Sequence, residues 1–280
     1  MSDATPPYGP PLPPTVVVPV VHAQSVGPLD PPQGDQVAVE APLELRFAGK
    51  AVTVLMRTPG DDEDLVRGFL LSEGSIAGPD DIVRFARPEG LPAGEAGNVL
   101  DVELLPSPSG RDLDRPLYSS SSCGVCGKRS IASLEIPAAP VPPGFRVRRS
   151  VLSTLPTRMR AAQPLFDRTG GLHACGLFAA DGALLCLRED VGRHNAVDKV
   201  VGWALSRRRL PLASCVLLVS GRISFELAQK AVIAGAPVLA AVGAPSSLAI
   251  EIGRRYGVTL VGFVRSSAMN VYTHPERVAD

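Results

Sequence analysis

The feature that most constrains this chain is an alternation of short apolar runs and helical segments between residues 215 and 264. Residues 215–220, 238–242 and 258–264 are near-continuous apolar runs of strand length. Between the first two lies a helical segment over 224–234, stopped by Gly235-Ala236-Pro237. Pro245-Ser246-Ser247 opens a second helix that ends near Tyr256, with Gly257 placed to terminate it in a left-handed conformation. Strands that are apolar on both faces need cover on both faces. A β-α-β-α-β order then gives parallel strands joined by right-handed crossovers. The expected fold class is α/β (α+β overall), with a C-terminal three-layer domain built on a largely parallel sheet.

The rest of the chain reads as a smaller, β-rich α+β domain preceded by a tail. Residues 1–35 are the tail: ten of the chain's 28 prolines fall before residue 35, with almost no charge, so a disordered or extended segment is expected. Residues 36–140 form the smaller domain. Within it, Leu43 to Phe47 and Val52 to Met56 flank Ala48-Gly49-Lys50 and predict a hairpin. Asp61-Asp62-Glu63-Asp64 then places negative charge at a helix N-terminus, where the helix dipole favours it, and Gly74 ends that helix. The same four acids could instead hold a metal ion. Residues 137–144 are a proline-rich joint, a further helix is expected near 150–162, and the C-terminal domain spans 145–280.

Composition removes several classes of function. Lys plus Arg and Asp plus Glu stand at 28 each, so bulk electrostatics do not point to nucleic acid. No apolar run reaches the ~18 residues that span a bilayer, and the N-terminus lacks the pattern of a secretory signal. The chain reads as cytoplasmic, where thiols stay reduced. Its five cysteines fit a disulfide framework poorly.

Ligands of parallel sheets gather beyond the carboxyl ends of the strands. Ser220-Gly221-Arg222 and Gly243-Ala244-Pro245-Ser246-Ser247 combine small residues, hydroxyls and helix N-terminal amides, a set suited to phosphate, with Arg222 able to bind bidentately. Phe263-Val264-Arg265-Ser266-Ser267 adds an aromatic face, a cation and two hydroxyls at the same edge. Together they predict a pocket for a nucleotide or pterin-like ligand. Arg193, His194 and Asn195 stand at the start of a helix whose apolar stripe runs through Val197, Val200, Val201 and Ala204, so they can face a ligand too.

The second focus is Cys123-Gly124-Val125-Cys126, in a Ser- and Gly-rich stretch followed by Lys128 and Arg129. Nearby cations lower a thiol pKa from ~8.5 and favour the reactive thiolate. Three readings compete. A thioredoxin-like enzyme would place the motif between a strand and a helix, usually after an aromatic residue, and this is not seen. A zinc site would need two more ligands, which His173 and Cys175 could supply. A persulfide carrier needs one thiolate that accepts a sulfur and passes it on.

Taken in order, the motifs Met56-Arg57-Thr58-Pro59-Gly60-Asp61-Asp62, Gly68-Phe69-Leu70-Leu71-Ser72-Glu73-Gly74, Cys123-Gly124-Val125-Cys126-Gly127, Thr169-Gly170-Gly171-Leu172-His173-Ala174, Glu189-Asp190-Val191-Gly192-Arg193-His194-Asn195-Ala196-Val197-Asp198-Lys199, Ser220-Gly221-Arg222 and Asn270-Val271-Tyr272 resemble the formate dehydrogenase accessory sulfurtransferases, the FdhD family. The likeness runs from about Pro42 to the C-terminus. It implies a sulfurtransferase that takes sulfur from a cysteine desulfurase as a persulfide on Cys123, with Cys126 in support. The sulfur would pass to the molybdenum bis(guanine dinucleotide) cofactor, a bound substrate that GDP would mimic, for use by formate dehydrogenase. The implied cofactor-binding residues are Phe263, Val264, Arg265, Ser266, Ser267 and Ala268, beside Ser220, Gly221, Arg222 and His194. The likeness also implies a cytidine-deaminase-like second domain, a homodimer and no catalytic zinc, since the Cys-x-x-Cys that would follow His173 in a deaminase is missing. The alternatives that stay open are a cofactor-binding chaperone without sulfur transfer and a zinc-binding protein.

Overall fold

In a computed structural model the described residues are 12–21, 25, 30–92, 95–105, 136 and 138–280. The two cysteines of the Cys-x-x-Cys motif, Cys123 and Cys126, lie outside them.

The elements follow in chain order. Strands β1 (Thr15–Val20) and β2 (Gln33–Ala38) form an antiparallel ribbon. The hairpin β3 (Ala41–Phe47) and β4 (Lys50–Arg57) leads into helix α1 (Asp62–Ser72). Strands β5 (Ile82–Ala86) and β6 (Val99–Leu104) complete a four-stranded sheet of order β4-β3-β6-β5, in which β3 and β6 are parallel. Then come β7 (Val147–Arg148), α2 (Arg149–Arg160), α3 (Pro164–Thr169), β8 (His173–Ala179), β9 (Leu184–Asp190) and α4 (Arg193–Ser206). The alternating C-terminal part is β10 (Cys215–Val219), α5 (Phe225–Ile233), β11 (Val238–Ala241), α6 (Ser247–Tyr256) and β12 (Thr259–Gly262). Short strands β13 (Asn270–Val271) and β14 (Val278–Ala279) close the chain, β14 pairing in parallel with β7.

The β-α-β-α-β segment forms as expected, with β10, β11 and β12 parallel and in sequence order. Gly257 stops α6 at φ 73°, a left-handed turn open to glycine at little cost. The sheet as a whole corrects the expectation of a largely parallel one. Its order is β13-β12-β11-β10-β8-β9, and the β13–β12, β10–β8 and β8–β9 pairings are antiparallel. The cause lies upstream of residue 215: β8 and β9 are joined by only four residues, 180–183, and so short a connection can only reverse a strand. Residues 15–20, within the tail read as disordered or extended, take the extended form, and the valines of β1 pair residue for residue with β2. Proline is tolerated there because the ribbon has only two strands, so Pro19 sits in an edge strand. Arg168 on α3 donates to the Thr15 hydroxyl at 2.9 Å, tying the ribbon to the body.

Side-chain alternation on β10 shows the layering. Val216 and Leu218 join Leu152, Leu155 and Met159 of α2 in one buried cluster. Leu217 and Val219 join residues of α4, α5 and α6 in another. That second cluster also takes in Leu43 and Leu45 of β3, Leu100 and Val102 of β6, and Leu65, Val66 and Leu70 of α1. Residues 36–140 and 145–280 therefore share a core across α1 and α4.

Two glycines bring those helices together. A Cβ on Gly68 would collide with the carbonyl of Asp198, and one on Gly202 with the carbonyl of Asp64, both far inside the ~3 Å that real contacts respect. Polar pairs flank the crossing. Arg57, fully buried, donates to both carboxylate oxygens of Asp62 at 2.9 and 3.2 Å, and Arg87 adds a bond at 2.8 Å. Burial would raise the Asp62 pKa, but the two guanidinium groups overcome it and hold the carboxyl below its ordinary value. The neighbouring acids are engaged as well, Glu63 with Arg67 and Asp64 with Arg188. They lie in the first turn of α1, as the dipole argument expects, and their partners are arginines.

Candidate functional site

Five strand ends meet at one edge of the six-stranded sheet. The parallel strands β10, β11 and β12 finish there, the antiparallel β8 starts there at His173, and β9 ends there at Asp190. The three loops read from the sequence as ligand-binding are brought together by backbone hydrogen bonds. Gly243 N–H donates to the Gly221 carbonyl at 3.0 Å, and Phe263 N–H donates to the Gly243 carbonyl at 3.0 Å. Ile223 N–H reaches Ala244 and Ser246 N–H reaches Ile223, at 3.0 and 2.9 Å. A side chain at Gly243 would stand 2.8 Å from the Gly221 oxygen, so only glycine lets the loops approach this closely.

The candidate residues fall in different places on this rim. Arg222, Ser266, Ser267 and Ala268 are exposed. Phe263 is 43% exposed and takes φ 53°, an unusual backbone for an aromatic residue and one that concentrates at functional sites. The Val264 side chain is fully buried in the cluster under α2, so this residue can offer a ligand only its backbone. Arg265 is exposed but caps the rim, donating to the carbonyls of Val242 and Val264 at 2.8 Å. Ser220 is half-buried and its hydroxyl accepts from Ala174 N–H at 2.9 Å, which ties β8 to the end of β10. Gly221 faces the His173 ring, 3.5 Å from where a Cβ would lie.

His194 belongs to this edge as well. It sits in the first turn of α4, where its Nε2 lies 2.7 Å from Glu226 Oε2 and 3.2 Å from the Ser224 hydroxyl. Both partners belong to the start of α5, so the imidazole bridges two helix N-termini next to the rim. One turn further on, Asp198 of α4 binds Lys230 of α5 at 2.7 and 2.8 Å and accepts from Ser72 of α1 at 3.1 Å. Burial dominates at Asp198 and raises its pKa, with Lys230 opposing. His173, half-buried, is shifted downward by desolvation and then by the positive charge of Arg193 and His194, so it stays neutral at physiological pH.

The long motif beginning at Glu189 is largely a positioning device. Glu189 accepts from the amides of Leu165 and Phe166 and so caps α3. Asp190, fully buried, accepts from the amides of Thr58 and Gly192 and from the Asn195 side chain. Its counter-charge is Lys199, 2.8 Å away and also donating to the Thr58 carbonyl at 2.9 Å. Asn195 further binds the Met56 carbonyl at 2.7 Å. The motifs at 56–62 and 189–199 therefore lock each other in place and fix the start of α4, from which His194 projects.

Sequence reasoning missed Glu226 and Ser224 as partners of His194. The available signal was Glu226 and Lys230 one turn apart in the largely apolar α5, since buried charges of that kind need partners across a helix interface. The pair proposed as zinc ligands diverges: His173 is half-exposed at the edge, while Cys175 is completely buried and its thiol is pushed well above its ordinary pKa by desolvation. Among the described residues no three His, Cys, Asp or Glu side chains converge as a metal cage, and no helix is long and apolar enough to cross a membrane.

Comparison with known proteins places this architecture. The solved structure of a protein assigned as a formate dehydrogenase accessory protein from Desulfotalea psychrophila superposes with a TM-score of 0.72, covering 95% of this chain and 100% of that one at 24% identity, which shows the shared fold. The sulfur carrier protein FdhD of Mycolicibacterium paratuberculosis is 52% identical over 250 residues, 87% of this chain and 92% of that protein. The sulfur carrier protein FdhD of Streptomyces coelicolor is 53% identical over 253 residues, 88% of this chain and 89% of that one. The FdhD/NarQ family profile matches residues 38–279, a span that holds the interlocked motifs, the sheet-edge loops and the Cys-x-x-Cys, and the chain belongs to that family.

Proposed function

We propose that the protein is a cytoplasmic sulfur carrier that accepts a persulfide sulfur on Cys123 and passes it to a molybdenum bis(guanine dinucleotide) cofactor held at the sheet edge. In the loading step the Cys123 thiolate attacks the outer sulfur of a donor persulfide on a cysteine desulfurase. The donor S–S bond breaks and its electron pair leaves on the donor thiolate, so the exchange needs no external oxidant or reductant. The client would be a formate dehydrogenase and the working unit a homodimer. The helix-sheet-helix layering supports the cytidine-deaminase-like kinship that the resemblance implies.

The observation that carries this reading is the state of the other thiols. Cys175 and Cys186 are buried, and desolvation pushes the Cys186 thiol up to about 11. Cys215, partly buried, is raised for the same reason. None is a thiolate near neutral pH, which leaves Cys123 and Cys126, flanked by Lys128 and Arg129, as the candidates for sulfur chemistry. The ligand half rests on the rim, where Arg222 and the exposed hydroxyls suit phosphates and Phe263 offers a planar face to a base.

Intact mass spectrometry after incubation with a desulfurase and cysteine is expected to show one added sulfur that maps to Cys123 and disappears in Cys123→Ala. Undiminished loading of that variant would overturn the assignment. Titration with GDP is expected to show saturable binding, weakened roughly 10- to 100-fold by Arg222→Ala through loss of a charge-assisted hydrogen bond. No binding of GDP by the wild type would remove the pocket. A Cys123→Ala protein that still activates its client would identify a chaperone instead.

A further inference from the structure

Helix α4 faces the sheet-edge loops with its first turn. Its other end, about 20 Å away at 1.5 Å per residue, runs into Arg207, Arg208 and Arg209, all exposed. The three side chains are not equivalent. Arg208 takes φ 52°, a left-handed backbone that few residues other than glycine and asparagine adopt, and it donates to Asp80 at 3.0 Å. Arg207 and Arg209 instead lie over the ring of Trp203, 4.8 and 5.4 Å from its centroid. Arg207 also donates to the Trp203 carbonyl and the Ser206 hydroxyl, at 3.5 and 3.2 Å. Among the described residues neither guanidinium has a carboxylate partner, and that of Arg209 has no hydrogen bond. Complementing the negative end of the helix dipole accounts for Arg207, which reaches a terminal carbonyl, but not for Arg209.

Two guanidinium groups held against one ring repel each other, and an anion that bridges them removes that cost. Stacking uses the faces of the groups and leaves N–H donors along their edges, in the planar fork that matches a carboxylate. The ring also fixes two long side chains in advance, so less freedom is lost when a partner arrives. We propose that Arg207, Arg209 and Trp203 form a docking surface for an acidic segment of a partner protein, whose carboxylates seat on the two guanidinium groups. Nucleic acid is tracked by a longer stripe of cations, whereas here the third arginine is already neutralised by Asp80 and the chain carries no net charge. The surface lies at the opposite end of α4 from the rim, so a partner bound there leaves the sheet-edge loops free. Nothing in it depends on sulfur chemistry.

Trp203 is the chain's single tryptophan, so its emission reports on this surface directly. The full-length protein is titrated with a short glutamate-rich peptide, with its glutamine counterpart, and with a single-stranded oligonucleotide of the same charge. The glutamate peptide is expected to shift the emission saturably, with an affinity that weakens as salt rises, and the other two should bind more weakly. Replacing both arginines, Arg207→Gln with Arg209→Gln, should weaken the peptide about tenfold through loss of two exposed charge-assisted contacts. That variant should melt close to the wild type, since neither guanidinium has a buried partner. Arg146→Gln with Arg148→Gln makes the same change in net charge beside Val147, on the α2 side of the sheet, and should leave the affinity unaltered. No emission change with the glutamate peptide, undiminished affinity in the Arg207 and Arg209 variant, equal losses in the two double variants, or tighter binding of the oligonucleotide would each defeat the proposal.

Discussion

Lys199→Met is expected to destabilise the protein by about 3–5 kcal/mol, the usual cost of stranding one partner of a buried ion pair. Lys199 is 1% exposed and Asp190 is fully buried. The methionine chain would fill much of the same space while leaving the Asp190 carboxylate without a counter-charge. Urea unfolding should show a lower midpoint with an unchanged slope. Adding Asp190→Asn should recover part of the loss, because the stranded charge is removed with its partner. A cycle in which the two effects simply add would show that the pair is not coupled. The damage should also reach the sheet edge, since Asp190 holds Gly192 and Asn195 and so sets the first turn of α4 that carries His194.

Gly202→Ala is expected to cost about 3 kcal/mol or more, at or beyond the upper end for overpacked cores. In an exposed helix the same change would gain about 1 kcal/mol of helix propensity, so the sign of the result is itself diagnostic. The new methyl would strike the Asp64 carbonyl of α1, and backbone cannot rotate aside as a side chain can. α1 and α4 would have to separate, opening the core they share. For a chain of this length such a loss corresponds to a melting temperature lower by roughly 6–12 °C. Gly68→Ala acts at the same crossing, so the double variant should fall short of the sum of the two singles. A stabilised Gly202→Ala protein would mean that the helices do not approach as described.

What could be read before any coordinates depended on the range of the interaction. The β3–β4 hairpin, α1 and the run from β10 to β12 are specified by local patterns, and each appeared near its expected limits. The antiparallel β8–β9 pair escaped because the expectation for the sheet was built from residues after 215 alone. In the tail, proline content argued against helix and core, and the two-stranded ribbon of β1 and β2 asks for neither. At the site, the clustering of Ser220, Arg222 and Phe263 followed from the rule for strand ends. The partnership of His194 with Glu226 joins residues on two helices whose facing sides sequence does not reveal. That the Val264 side chain is interior while those of Phe263 and Arg265 on either side are exposed is a matter of loop backbone that sequence does not reveal.

The chain of amide contacts from Gly221 through Gly243 to Phe263 has a consequence for recognition. Each loop is already fastened to the next, so an incoming molecule meets a finished contour and has little main chain left to organise. Selectivity at such an edge comes from fit and from charge placement, and a single methyl at Gly243 would alter all three loops together.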